Sequence, residues 1–398
     1  MRLSPFLILQ RRAIAAAGFA VVVTGAGLAT AGDAEVAKAQ EAKPTAALLA
    51  EGQRVFRFET FGDEQLWTDK LRLHEVIESS VDPMTALAVG LKVDADVLPP
   101  GILDTADLKS PATTVALLKL DAVVGVQATI SEDNHITRLG ITCALCHSTV
   151  DDSVMAGIGS RLDGWPNLDL DPGRIIALSP ALPDDKKAVY NSWGPGKYDP
   201  RYNHDGLSTP LVLPPAYGLA KVENETYTAE GPISYWNAYV AVTQMGGQGN
   251  FSDPRLGIEV THTPDLVTPK LPALRAYQHG LATPAPRAGS YDVAASRRGR
   301  AVFGRHCIGC HVGGSGTDND RGVLHAAEET GMDGAYAART ANKKYRTTPL
   351  RGLAYHPPYF HDGSAATLAA VVAHYDGVLD IGLDAQESKD LVEYLKTL

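Results

Sequence analysis

The sequence predicts a mainly α-helical protein of two unequal units joined by a short linker, with long loops and an elaborated first unit. Three observations carry that prediction. Near the C-terminus, "LDAQESKDLVEYLKTL" sets Leu391, Val392, Tyr394, Leu395 and Leu398 on one apolar stripe at helical spacing. "SRRGRAVFGRHC" holds Gly299 and Phe303 four residues apart, and "EGQRVFRFET" repeats the spacing with Gly52 and Phe56. "GLATPAPRAGS", residues 280–290, has the Pro, Gly and small-residue content of a linker.

Residues 1–31 read as a secretory leader: Arg2, Arg11 and Arg12 precede an apolar run, and "ATA" at 29–31 offers small residues for cleavage. The Ala, Gly and Thr content of the run favours a cleaved leader over a retained anchor. Residues 32–45 are a flexible lead-in. The first unit covers 46–280, with a helix expected at 112–122, and the linker covers 281–289. The second unit covers 290–398. Its last helix opens with Asp384 and Glu387 at capping-box spacing. Gly299 would let a second helix approach closely, with Phe303 filling the crossing.

The chain has 398 residues, 44% of them hydrophobic, enough for a sizeable core, and its 38 glycines and 25 prolines suit long ordered loops. Its formal charge is −10, and about −13 once the leader's three arginines are removed. That balance argues against nucleic acid or an anionic membrane surface and is compatible with a basic redox partner. No segment beyond the leader is expected to span a membrane.

"GITCALCHST" places Cys143, Cys146 and His147 in the order Cys-x-x-Cys-His, the attachment signal for c-type haem. The thiols add to the haem vinyl groups and the adjacent histidine binds iron. Cys-x-x-Cys also occurs in thiol redox sites and zinc knuckles. A second copy at Cys307, Cys310 and His311 argues against both, because the two motifs use all four cysteines and stand far apart in sequence. Two covalent haems follow, here called haem 1 and haem 2. Attachment to an exported, unfolded chain favours the general secretory route despite the Arg11-Arg12 pair, and implies a periplasmic or secreted protein. No cysteine is left for a structural disulfide.

His147 and His311 are the expected proximal iron ligands, and the opposite face of each haem decides between carrier and catalyst. Superposing Phe360 on Trp236 and counting fifteen residues forward pairs Tyr375, beside His374, with Phe251, beside Asn250. His374 and Tyr375 can both ligate iron, whereas Phe251 cannot. Haem 2 is therefore expected to be six-coordinate and haem 1 open. Helical geometry favours Tyr375, ligand frequency favours His374, and the choice stays open. Met245 is the methionine that could close haem 1. Gln244 and Gln248 lie near that face, with no carboxylate placed to move protons. His74, His262 and His279 read as packing, surface or loop residues. His356 or His361 is expected to meet a haem propionate or backbone.

"TTPLRGLAYHPPYFHDGS…TLAAVVAHYD…DLVEYLKTL" resembles the C-terminal half of the bacterial di-haem cytochrome c peroxidase and MauG superfamily. The His-Tyr pair, with Tyr235-Trp236 and Phe251, is similar to rubber oxygenases within it. The resemblance extends over most of the chain after the leader, and this chain is shorter than rubber oxygenases. It implies two cytochrome c-like domains, His374 as the haem 2 ligand, Phe251 as the distal cover of haem 1, and Trp236 as an electronic bridge. Gln244 joins this tentative distal pocket. The expected function is haem-dependent oxidation with peroxide or dioxygen at haem 1, electrons relayed by haem 2, and an organic substrate or redox protein as partner. The alternatives are an electron carrier with both irons six-coordinate and a haem-based sensor. Calcium between the units is left undecided.

Overall fold

The computed structural model describes residues 44–398; the leader and the lead-in up to residue 43 lie outside them. The first helix, Ala46–Phe58, starts where the Thr45 hydroxyl accepts the Leu48 amide. Its buried residues are Gly52, Val55 and Phe56, one face at the i, i+3, i+4 spacing. That face crosses Leu271–Gly280, the last helix of the first unit. A Cβ on Gly52 would lie 2.1 Å from the Ala273 carbonyl oxygen and 2.6 Å from Tyr277 Cβ, so only glycine permits the approach. Phe56 then meets Tyr277 with ring centroids 5.6 Å apart.

The second unit repeats this contact residue for residue. The helix Val293–His306, capped by Asp292, crosses Ala385–Leu395. A Cβ on Gly299 would lie 1.9 Å from the Asp390 carbonyl oxygen. Phe303, one turn later, meets Tyr394 at 5.3 Å. Asp384 and Glu387 form the expected capping box. Arg298, its guanidinium half-exposed, adds a two-pronged bond to the buried Asp390 carboxylate at 2.6 and 2.7 Å.

Over the described residues helix predominates, at 41% against 10% strand, in keeping with a mainly α fold. The helix expected at 112–122 runs over Pro111–Lys119. It stops early because Asp121 takes a left-handed backbone, φ 53°. The helix read from about Ser364 starts at Leu368, where the Thr367 hydroxyl caps the Ala370 amide. Where the sequence suggested only long loops, five two-stranded ladders brace residues 93–260. The longest pairs Val126–Ile130 with Ile136–Ile141 and leads directly into the first Cys-x-x-Cys-His.

Residues 281–292 carry no helix, yet they are held down. The Leu281 carbonyl accepts the Gly218 amide at 2.8 Å, and the Ala285 carbonyl accepts the Tyr355 hydroxyl at 2.6 Å. Thr45–Leu398 packs as one compact unit. Ion pairs stitch its two parts together: Arg339 to buried Asp199 at 2.9 Å and to exposed Asp205 at 2.7 Å, and Arg346 to buried Glu225 at 3.2 Å. The Ala341 amide donates to Glu230, whose other oxygen holds Arg201. Among the described residues no helix is long and apolar enough to cross a membrane.

Candidate haem sites

The first motif lies on a one-turn helix, Ala144–His147. Thr142 sets its entry by donating its hydroxyl to the Arg57 carbonyl at 3.0 Å, and Gly125 clears the turn, since a Cβ there would stand 2.0 Å from the Leu145 amide nitrogen. His147 Nδ1 lies 3.1 Å from the Pro214 carbonyl. With Nδ1–H donating to that carbonyl, Nε2 keeps its lone pair for a metal. Burial pushes the imidazole down to about 4, so it stays neutral. Cys143 and Cys146 are unpaired, and burial pushes both thiols up to about 12. A free, neutral imidazole beside two unpaired thiols fits covalent haem.

Cys143 packs against a buried cluster that includes Phe56, Ala144, Trp236, Tyr239, Met245 and Phe251. Phe251 meets both Tyr235 and Tyr239 at 5.2 Å. The Trp236 indole N–H donates to the Glu225 carbonyl at 3.1 Å. The aromatic residues named from the sequence share one buried cluster, but the fifteen-residue superposition does not hold as a match of elements. Trp236 is inside the helix Ile233–Tyr239, whereas Phe360 precedes Leu368–Val378. Phe251 opens a strand, whereas Tyr375 is helical. The cause is a π-helical turn at Val240–Gln244, followed by Gly246 with φ 86°, which ends the helix. A second π turn, Gln65–Lys70, packs on it, with the Trp67 indole donating to the Met245 carbonyl at 3.0 Å.

The Gln244 amide is held by three hydrogen bonds. Its oxygen accepts from the Tyr198 hydroxyl at 3.1 Å and from Asn203 at 3.3 Å, and its nitrogen donates to Thr243 at 2.8 Å. It ties the π turn to Tyr198. His262 Nδ1 lies against the Gly249 carbonyl at 2.9 Å, and burial lowers the pKa of His279. His74 carries a buried Nδ1 without a hydrogen-bond partner.

The second motif follows the helix Val293–His306. His311 Nδ1 lies 3.3 Å from the Gly316 carbonyl, and burial lowers its pKa. A cleft of about 300 Å³ opens beside it, lined by Phe303, Ile308, His311, Leu350 and Tyr394 among others. Cys307 and Cys310 are unpaired. The residues fit a haem here as well. The neighbours His374 and Tyr375 point differently. His374 Nε2 lies 2.8 Å from the Thr330 carbonyl, and its ring packs on Phe360 at 4.8 Å. Tyr375 is half-buried, its ring packs on Phe360 at 5.8 Å, and burial, with Cys310 and Cys307 adding to it, pushes its phenol up to about 12. His356 reaches backbone, the Arg351 carbonyl at 3.3 Å, while His361 meets the Tyr345 hydroxyl at 3.0 Å.

Sequence reasoning missed the arginines. Arg201 is fully buried, with its guanidinium 4.6 Å from the Tyr239 ring centre and 5.7 Å from that of Trp236. A single arginine in a loop gives no signal of such a position. These arginines also bear on calcium: the buried carboxylates joining the two parts are matched by Arg201, Arg339 and Arg346, so they do not form a free acidic cage. Cys310, Asp318 and His325 bring donor atoms within 4.8 Å of one another, but Cys310 belongs to the attachment motif.

The cytochrome c family model matches residues 296–398. The chain is 39% identical over 98 residues to a cytochrome-c peroxidase, IdrP1, of Denitromonas iodatirespirans, a match covering 21% of this chain and 25% of that protein. It thus spans about a quarter of the length of that curated relative. A MauG-like protein associated with microbial copper homeostasis is similar at 21% identity and TM-score 0.34, over 48% of this chain and 74% of that one. Hydrazine synthase of Kuenenia stuttgartiensis is similar at 21% identity and TM-score 0.32, over 49% and 74%. The chain therefore carries a C-terminal cytochrome c domain, which implies at least one c-type haem, and it is distantly similar to a cytochrome c peroxidase.

Proposed function

We propose that this protein is an exported di-haem c-type oxidoreductase in which haem 1, on Cys143, Cys146 and His147, binds peroxide or dioxygen, and haem 2, on Cys307, Cys310 and His311, relays electrons. The observation that carries the reading is the asymmetry of the two sites. Beside Cys143 the protein supplies Phe251 and a wall of apolar and aromatic side chains; beside Cys307 and Cys310 it supplies the phenol of Tyr375. Haem iron, when bound, supplies oxygen or peroxide binding and electron exchange. His147 and His311 would hold the iron through Nε2, each oriented by a backbone carbonyl at Nδ1. Phe251, in the cluster beside Cys143, would exclude water and limit access to a haem bound there.

Tyr375 is the proposed sixth ligand of haem 2, because the Nε2 of His374 is committed to Thr330. Trp236 is the proposed bridge. It lies in the haem 1 cluster, and through Glu225 it touches the ion pair to Arg346 that joins the two parts of the fold. The organic substrate or redox partner takes its place at the solvent end of this pathway. The similarity to a cytochrome-c peroxidase supports peroxide as the oxidant.

Low-temperature EPR of the oxidised, haem-loaded protein tests the reading. One high-spin and one low-spin ferric signal are expected. Two low-spin signals that persist after partial reduction would instead identify an electron carrier, with Met245 the first candidate to close haem 1.

A further inference from the structure

A second group of aromatic rings lies outside the cluster that holds Trp236. Trp193 is buried and packs edge-on against three tyrosines, with centroids 4.9 Å from Tyr190, 5.2 Å from Tyr198 and 5.7 Å from Tyr202. At the inner end, Tyr198 packs on the same apolar cluster as Cys146, and Cys146 is among the groups that raise its pKa, after burial and Tyr190. At the outer end, the Tyr190 hydroxyl makes a solvent-exposed bond to Asn203 at 3.2 Å. The Trp193 indole N–H donates to exposed Ser208 at 3.1 Å. The three rings are in continuous edge-on contact from Tyr198, which shares its apolar cluster with Cys146, out to the solvent-exposed hydroxyl of Tyr190.

Charge separates this path from the other one. Arg201 lies over Trp236 and Tyr239, and Arg255 lies over Tyr235 at 5.8 Å. A cation over an aromatic face is attracted by the ring's electron density. Removing an electron from the ring turns that attraction into repulsion, so these rings resist oxidation and Trp236 suits tunnelling without being oxidised itself. Tyr202 is covered in the same way by Lys186 at 5.1 Å. Among the described residues no cation lies over Tyr190, Trp193 or Tyr198.

We infer that Tyr198, Trp193 and Tyr190 form an electron relay to haem 1, so that a phenolic donor too large to enter the distal pocket is oxidised at the surface beside Tyr190. The inference rests on haem 1 being a peroxide-reducing site. Reduction of one hydrogen peroxide to two waters takes two electrons and two protons. Two phenols at the surface each lose one electron through the relay and one proton to water, giving two phenoxyl radicals. Atoms and charge balance, and peroxide is the only oxidant required.

The test mixes the haem-loaded full-length protein with hydrogen peroxide and a nitroso spin trap, without a donor, and maps adducts by peptide mass spectrometry while the Soret band is followed. The wild type should carry adducts at Tyr190 or Trp193. Trp193→Phe should lose the Tyr190 adduct and bleach several-fold faster under repeated peroxide. Trp193→Tyr, which keeps an oxidisable ring, should restore it. If Trp193→Phe does not fold, Tyr190→Phe should shift the adduct inward to Trp193. A wild type whose Soret band responds to peroxide but whose Tyr190 and Trp193 stay unmodified overturns the relay alone, as does an unchanged Tyr190 adduct in Trp193→Phe. A Soret band indifferent to peroxide overturns the peroxide reading of haem 1 and the relay together.

Discussion

Gly299 meets Asp390 backbone to backbone: a Cβ on the glycine would stand 1.9 Å from the aspartate's carbonyl oxygen. The obstructing atom is main chain, so neither helix can yield locally. Gly299→Ala should destabilise the protein by about 1–3 kcal/mol or more through overpacking. It should also lower haem occupancy at the second motif, because the Val293–His306 helix runs directly into Cys307. Gly52→Ala should do the same at the first motif, where the Ala273 carbonyl is the obstacle. Urea denaturation and a pyridine haemochrome count of haems per chain read both effects.

Tyr375 and His374 make opposite predictions for haem 2. Tyr375→Phe should convert its low-spin signal to high-spin and leave haem 1 unchanged. His374→Asn should leave both spin states as they are, because its ring nitrogen holds the Thr330 carbonyl. Loss of the low-spin signal in His374→Asn alone would transfer the ligand role to histidine. EPR and near-infrared magnetic circular dichroism separate the two outcomes.

Much of this architecture was legible because it is written in short-range patterns. Cys-x-x-Cys-His needs only adjacency, and the Gly-Phe device and the capping box need only helical spacing. The aromatic residues that cluster with Cys143 could be named, but not their register: the π turn at Val240–Gln244 and the break at Gly246 leave no mark in hydrophobic periodicity. The arginines that join the two parts were invisible for a different reason. Arg339 and Asp199 lie 140 positions apart, and a buried ion pair looks like two solvated charges until the fold brings it together. The short ladders were missed because strands of two or three residues are too brief to show alternation.

Phe251 is a lid if haem 1 is open. Phe251→Ala should tighten cyanide binding to oxidised haem 1 by roughly tenfold, about 1.4 kcal/mol, and lower stability by about 3–5 kcal/mol for an emptied aromatic site. If Met245 closes haem 1, cyanide affinity should stay weak in wild type and variant alike. Cyanide titration followed in the Soret band distinguishes them.

Arg339 anchors the second part of the fold onto Asp199 and Asp205, and both Arg339 and Asp199 are buried. Arg339→Met should cost about 3–5 kcal/mol, since it strands a buried carboxylate. The double variant Arg339→Met with Asp199→Asn should recover part of that loss, because the stranded charge is gone. A double-mutant cycle by chemical denaturation measures the coupling.

Asp63 makes stability depend on pH in an unusual direction. Its side chain is fully enclosed beneath the strand Ile136–Ile141, with both oxygens near the Ile141 amide at 3.3 and 3.2 Å. Burial pushes its carboxyl up to about 9, against the opposing pull of that hydrogen bond. The unfolded chain releases this proton near pH 4, while the folded chain keeps it to about 9. Between those values the folded state binds more protons than the unfolded one, so raising the pH favours unfolding. Stability from this group is complete below about pH 4 and falls by about 1.4 kcal/mol per pH unit through the window. Asp63→Asn keeps the shape, carries no titrating proton and removes the slope. Melting temperatures from pH 5 to 8.5 should therefore decline less in Asp63→Asn than in wild type, and the variant should be the more stable at the alkaline end. Parallel pH profiles would show that Asp63 is ionised in the fold and stabilised by a partner that burial has not weakened.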